Sequence, residues 1–80
     1  MKRTGTPRFI VSFHTTADAM DTDALASRHR LQGRLMPVPR ALSAGCGIAY
    51  AVPVAAQEGL VRMLSEAGIE PQDCGVLDVR

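Results

Sequence analysis

The sequence predicts an α+β fold in which four short strands form one antiparallel sheet and two helices cover one face of it. Three observations predict this fold. The chain has 80 residues, enough for one domain. Two segments with helical spacing each lie between segments with strand spacing, and the resulting order is βαββαβ. That order in a chain of this length is typical of the ferredoxin-like fold. We expect one domain over residues 8–80, preceded by a disordered basic tail over residues 1–7.

The first strand and the first helix follow that tail. The segment "RFIVSFH", residues 8–14, has strand periodicity, with two alternating sets of side chains: Phe9, Val11 and Phe13 on one face, and Ile10, Ser12 and His14 on the other. The helix follows in "TTADAMDTDALASRHRL", where Thr15 or Thr16 is the predicted N-cap and aspartates occupy the first turns. Its spacing predicts an apolar stripe of Ala17, Met20, Ala24 and Leu31 facing the sheet.

The second half of the chain predicts two more strands, a helix and a final strand. "RLMPVP", residues 34–39, is typical of an edge strand, since proline has no amide proton for a central ladder. "IAYAVP", residues 48–53, is the third strand and "CGVLDVR", residues 74–80, the fourth. Between them, residues 54–68 have helical spacing and end at Gly68, with apolar positions at Ala56, Leu60, Met63, Leu64 and Ala67.

Composition and charge exclude several classes of partner. The net charge is +1, with nine basic and eight acidic residues, which gives no basic surface for nucleic acid or an anionic membrane. No apolar run approaches the roughly 18 residues of a spanning helix, and the N-terminus lacks the apolar segment of a signal peptide. We therefore expect a cytoplasmic protein. With no Trp, one Tyr and two Phe, the core is thin, and we expect a homo-oligomer or a larger partner.

The predicted topology brings three residues of chemical interest to one edge of the sheet. In the order 4-1-3-2, the end of strand one, the loop between strands two and three, and the start of strand four share that edge. His14, Cys46 and Cys74 lie in these segments. The two cysteines are then about two strand spacings apart, roughly 10 Å. A disulfide between them needs loop movement, because bridged Cα atoms lie within about 7 Å.

Cys46 is the candidate reactive residue. Gly45 and Gly47 remove side-chain bulk on both sides of it, which lets a partner's sulfur approach. A nearby helix N-terminus, Arg40 or His14, and the free amides of the Gly-Cys-Gly turn would favour the thiolate, which is the reactive form. The alternative is that Cys46 is a small buried apolar residue at the start of a strand.

The neighbouring residues each have two interpretations. Arg40 either binds an anion and supports the thiolate or is a solvated loop residue. Ser43 either donates to the sulfur or caps a turn. Cys74 is either a structural residue or a resolving thiol, and His14 is either a base or a surface histidine. Pro39, like Pro37, stiffens the edge of the sheet.

We predict neither a metal nor a cofactor. His14, Cys46 and Cys74 share an edge, but the sequence has no C-x-x-C pair of the kind that heavy-metal carriers of this fold use. RNA binding through the sheet would need aromatic residues on the middle strands, and Tyr50 is the candidate on the third strand. Neither pattern supports such a function.

The loop segment "PRALSAGCG", residues 39–47, resembles the P-R-x-[IL]-S-x-x-C-G signature of a small bacterial family described as selenium/sulfur carrier protein-like. The wider frame is also similar: a strand ending at Phe13, "T-x-D-A" at residues 16–19, "L-M-P-V-P-R" at residues 35–40, and "AGI" at residues 67–69. Cys74 and His14 belong to no part of that pattern. The resemblance covers nearly the whole chain beyond residue 7.

The resemblance implies that Cys46 carries sulfur or selenium as a persulfide or selenopersulfide. The donor would be a cysteine desulfurase or a selenide-delivering protein, and the recipient a protein with an acceptor thiol. Arg40 and the Gly45–Gly47 backbone would support the negative sulfur. Such a carrier turns over no substrate, so we do not class it as an enzyme. The alternative is a regulatory or protein-interaction module of the same fold, in which Cys46 is structural.

Overall fold

The computed structural model describes residues 6–43 and 45–79, and within them the chain forms one four-stranded sheet and two α-helices. The elements in chain order are β1 Thr6–Ser12, α1 Thr16–Arg28, β2 Arg34–Pro37, β3 Ile48–Pro53, a short 3-10 turn Val54–Ala56, α2 Gln57–Ala67 and β4 Asp73–Val79. The predicted βαββαβ order and α+β ferredoxin-like fold are confirmed.

The sheet has the order β2-β3-β1-β4, which is the predicted order, and all neighbouring strands are antiparallel. β1 is central: Val11 lies opposite Tyr50 of β3 on one side and opposite Cys74 of β4 on the other. The end of β1, the β2–β3 loop and the start of β4 therefore meet along one side of the sheet, where the strands end. The loop that holds Cys46 lies on this side.

The N-terminal boundary differs from the prediction. β1 begins at Thr6, so Thr6 and Pro7 belong to the sheet, where they lie opposite Val79 and Asp78. The first five residues of the predicted disordered tail, and Arg80 at the end of the predicted last strand, lie outside the described residues.

Both helices pack on the face of the sheet that carries Phe9, Val11 and Phe13. The buried cluster on this face also contains residues of β3, α1 and α2: Tyr50, Val52, Ala19, Ala26, Leu60, Met63 and Leu64. On α2 the prediction is correct for Leu60, Met63 and Leu64, which are buried, but Ala67 is exposed.

The predicted apolar stripe on α1 is wrong in three of its four positions. Ala17 and Ala24 are exposed and Met20 is 52% exposed, and the helix instead buries Ala19, Thr22 and Ala26. Because the polar residue Thr22 lies on the buried face, that face does not stand out in the sequence as an apolar stripe. Thr22 can be buried because its hydroxyl donates to the Asp18 carbonyl at 2.8 Å, which satisfies the group without water.

The opposite face of the sheet is covered by the β2–β3 loop, residues 38–47. Ile10, Ala49 and Ala51 are buried there, and the side chains packed against them are Met36, Val38, Leu42 and Leu77. Two of these four, Val38 and Leu42, come from the loop itself. The loop that holds Cys46 is therefore seated on the sheet by apolar contacts, which restricts its position.

Tyr50 predicts a loss of stability at alkaline pH. Its side chain is 1% exposed, and burial, with a smaller contribution from the Asp23 carboxylate, raises the pKa of its phenol above the ordinary 10.0. As the pH rises through that ordinary value, the unfolded chain loses the proton first, so the free energy of unfolding falls. Chemical denaturation from about pH 9 to pH 11 should show this fall, and Tyr50→Phe should show a smaller one. Equal falls in both proteins would contradict the assignment.

In the described part of the chain, neither helix has the length and apolar character needed to cross a membrane.

Candidate functional site

The site is built on the β2–β3 loop, which two backbone hydrogen bonds shape. The Val38 amide donates to the Gly47 carbonyl at 3.1 Å and closes the base of the loop. The Leu42 amide donates to the Pro39 carbonyl at 3.0 Å and forms a turn within it. Leu42 then lies over Gly75 of β4, where a Cβ would be 3.5 Å from its Cδ2. These contacts fold the loop back across the sheet.

Cys46 is half-buried at the end of this loop and packs against the helix-side core. Its Sγ lies 3.5 Å from the Phe13 carbonyl oxygen and 3.4 Å from the Ile48 carbonyl oxygen. Both oxygens are hydrogen-bond acceptors, so the single S–H proton of the thiol can be shared between them. A thiolate would have no donor in these two contacts and would be repelled by both oxygens.

The two glycines beside Cys46 are both exposed, and their backbones differ. A Cβ on Gly45 would lie 2.9 Å from the His14 carbonyl oxygen, so this position has no room for a side chain. The Gly45 amide was predicted to be free to support the sulfur, but it donates to Gln72 Oε1 at 2.7 Å. Gly47 has φ +76° with open space around it, so its requirement for glycine is conformational.

A Gly47→Ala variant should lose about 1 kcal/mol of stability, because alanine adopts positive φ only at a cost. Gly68→Ala is the matched control. Gly68 has φ +72° at the C-cap of α2, also with open space around it. Denaturant midpoints should fall by similar amounts in the two variants, and the rate of Cys46 alkylation should change in Gly47→Ala alone. A larger change in Gly68→Ala would show that the Gly47 backbone does not govern the thiol.

Three polar residues that sequence reasoning missed hold the loop to the sheet. Ser12 is fully buried at the end of β1, and its hydroxyl donates to the Ser43 carbonyl and lies 3.3 Å from the Asp73 carbonyl oxygen. Asp73 accepts the Ser43 amide on Oδ2 at 3.0 Å and the Cys74 amide on Oδ1 at 2.9 Å. Gln72 accepts the Gly45 amide on its side chain. The predicted shared edge placed these residues near the loop but did not indicate which backbone groups they bind.

The other predicted site residues are placed as follows. Arg40 is exposed in the loop, and His14 is exposed just after β1, where its carbonyl approaches Gly45. Ser43 is exposed, and the bonds that hold it use its backbone amide and carbonyl. Pro39 supplies the carbonyl of the loop turn.

Cys74 lies on the helix-side face of β4. It is an exposed free thiol opposite Val11, and it lines a shallow apolar groove of about 330 Å³ beside α2, with Phe9, Val61 and Ile69 among the other lining residues. Among the described residues, no three His, Cys, Asp or Glu side chains are grouped to hold a metal ion.

The fold and the loop together define a small ferredoxin-like domain that holds one cysteine thiol between two glycines at the edge of its sheet. The chain belongs to the family described as "Putative Se/S carrier protein-like", whose model matches residues 8–74. This match confirms the family that the loop motif resembles, and it includes Cys46, Gln72 and Asp73. Comparisons with curated proteins and with solved structures gave no match.

Proposed function

We propose that this protein carries sulfur or selenium on Cys46 and passes it to an acceptor thiol of a partner protein. The observation that carries the proposal is the position of Cys46. Its thiol is free and half-buried, and it lies between two exposed glycines in the segment that matches the family. A half-buried thiol suits a carrier, because the exposed side lets a donor persulfide or an acceptor thiol reach the sulfur.

Loading transfers one sulfur atom without net oxidation. The Cys46 thiolate attacks the terminal sulfur of a donor persulfide, R–S–SH. A new S–S bond forms at Cys46, the S–S bond of the donor breaks, and the donor leaves as the thiolate R–S⁻. Release is the same step in the other direction: an acceptor thiolate attacks the outer sulfur and Cys46 leaves as the thiolate.

The contacts of Cys46 set a condition on this chemistry. The thiol donates to the Phe13 and Ile48 carbonyl oxygens, but a thiolate cannot, and its charge is repelled by them. Loss of the proton therefore favours rotation of the side chain away from both carbonyls. Arg40 is exposed in the same loop. In this proposal its guanidinium supports the sulfur or an incoming donor on the solvent side.

The partners follow from the chemistry. A cysteine desulfurase carries a persulfide of the required form, and a selenide-delivering protein is the corresponding donor for selenium. The exchange needs reduced thiols on both proteins, which a reducing cytoplasm maintains. The protein ends each cycle as it began, and the net reaction belongs to the donor and acceptor, so the role is that of a carrier and not an enzyme.

Loading of the reduced wild-type protein tests the proposal. One sample receives a cysteine desulfurase and L-cysteine, and a second receives selenodiglutathione, from which the Cys46 thiolate displaces one glutathione to leave Cys46–S–Se–SG. Peptide mass spectrometry then maps the added mass. Added sulfur or selenium on Cys46 that a reductant removes is the expected result, and the more complete reaction indicates the element. An unmodified Cys46 in both samples would contradict the proposal.

A second function is favoured by the burial of Cys46 against the core. If its thiol serves packing alone, the domain is a regulatory or interaction module that docks through the β2–β3 loop. Such a module should bind its partner equally well with serine at position 46, whereas a carrier should lose its cargo.

A further inference from the structure

We infer that Gln72 and Asp73 are positioning residues that hold the Cys46 loop in its closed arrangement. The biological meaning of this inference rests on the proposed function. Its test does not, because it measures only how accessible the Cys46 thiol is. Neither side chain is hydrogen-bonded to the Cys46 sulfur in the part of the chain that the structure describes. Both side chains accept hydrogen bonds from backbone amides of the loop just before Cys46.

The two side chains hold backbone amides two residues apart in the loop. Asp73 Oδ2 accepts from the Ser43 amide at 3.0 Å, and Gln72 Oε1 accepts from the Gly45 amide at 2.7 Å. Cys46 follows the second of these amides directly. With Gly45 fixed, the chain can deliver the Cys46 side chain only to a small region, which in this structure lies against the Phe13 and Ile48 carbonyls.

The start of β4 is itself fixed to the centre of the sheet. The Gln72 amide donates to the Ser12 carbonyl at 2.8 Å, and Asp73 lies opposite Ser12 in the β1–β4 pairing. The buried Ser12 hydroxyl donates to the Ser43 carbonyl of the loop and lies 3.3 Å from the Asp73 carbonyl. The loop is thus tied to β1, the central strand of the sheet, through β4.

The bonds from the Ser43 amide to Asp73 and from the Gly45 amide to Gln72, together called the clamp, determine how often the thiol is accessible. While Gly45 is held, the S–H group stays with its two carbonyl acceptors and is half-buried. When the Gln72 or Asp73 bond opens, the loop can carry Cys46 outward, away from Phe13. Weakening the clamp should therefore increase the open fraction and speed the reaction of Cys46 with a small reagent.

The test measures the rate of Cys46 alkylation by iodoacetamide in a Cys74→Ser background, where Cys46 is the remaining thiol. Gln72→Ala should raise the rate about fivefold, the ratio expected for one lost hydrogen bond. Gln72→Glu keeps an acceptor oxygen and should restore most of the wild-type rate. Asp73→Ala should raise the rate at least as much, and Asp73→Asn should recover part of the loss, since it keeps one of the two acceptor oxygens.

A destabilised control separates positioning from a general loss of stability. Val52 is fully buried near the end of β3 that is farther along the chain from the loop, so Val52→Ala lowers the stability and removes none of the hydrogen bonds that hold the loop. Its alkylation rate should equal that of the parent. Amide exchange should also accelerate at Gly45 in Gln72→Ala and stay unchanged there in Val52→Ala. An unchanged alkylation rate in both Gln72→Ala and Asp73→Ala would overturn the inference.

The two proposals fail separately. If the clamp variants change the alkylation rate but the wild-type protein accepts neither sulfur nor selenium, the clamp stands and the carrier function fails. If the wild-type protein loads on Cys46 but neither clamp variant changes the alkylation rate, the carrier function stands and the clamp fails.

Discussion

A Cys46→Ser variant is expected to accept no sulfur or selenium, while Cys74→Ser loads like the wild-type protein. Serine offers no sulfur to form the S–S bond, and its hydroxyl is a poor nucleophile at neutral pH. Its O–H can still donate to the Phe13 and Ile48 carbonyls, which accept from the thiol in the wild-type protein. The fold should therefore survive, and the loss should be confined to the cargo.

The measurement is intact mass after incubation with a cysteine desulfurase and L-cysteine, with and without reductant. Circular dichroism and the denaturation midpoint of each variant show whether it is folded. Reductant-sensitive added mass on folded Cys46→Ser, or its loss from Cys74→Ser alone, would assign the cargo to Cys74 and contradict the site.

Gly45→Ala is expected to displace the loop and slow loading by about tenfold to a hundredfold, the range for a reactive group misplaced by about 1 Å. The new Cβ would lie 2.9 Å from the His14 carbonyl oxygen, which is too close for either atom to remain in place. His14 lies in the short connection between β1, which is paired on both sides, and the N-cap of α1 at Thr15, so we expect the loop to be the part that moves. The same movement weakens the Gly45 bond to Gln72, so Cys46 should react faster with iodoacetamide, a small reagent, although loading is slower because a donor protein must meet a displaced sulfur. Stability should fall by about 1–3 kcal/mol.

Gly59→Ala is the matched control for that variant. Gly59 lies in α2, and a Cβ there would be 3.4 Å from Leu31 Cδ2, close but at the far end of a flexible side chain. Alanine is favoured over glycine within a helix, so the control should keep or gain stability and load at the wild-type rate. If Gly45→Ala loads as fast as Gly59→Ala, the close contact with His14 does not set the position of Cys46.

The sequence predicted the topology well because the order of elements leaves few ways to pair the strands. The predicted bounds of β3, residues 48–53, match the structure, since Pro53 ends the strand and the segment is apolar throughout. The sheet order followed from the βαββαβ pattern. The buried face of α1 was predicted wrongly because hydrophobic spacing does not count threonine as a buried residue. Thr22 is buried because its hydroxyl is hydrogen-bonded within the helix.

The candidate site was predicted in part. The spacing of Pro39, Arg40, Ser43 and Cys46 was readable as a motif, and the topology placed the loop beside the start of β4. The roles of Ser12, Gln72 and Asp73 were not readable, because their bonds reach backbone groups 27 to 31 residues away along the chain. A backbone amide has no identity in the sequence, so a side chain that binds it leaves no pattern.

A labelled round trip tests the central claim most directly. The protein is loaded from isotopically labelled L-cysteine by a cysteine desulfurase, separated from the donor, and mixed with glutathione. The account predicts that the label leaves as glutathione persulfide and that Cys46 returns as a free thiol that loads again. Label that stays on Cys46, or a mixed disulfide of Cys46 with glutathione that ends the cycle, would contradict a carrier function.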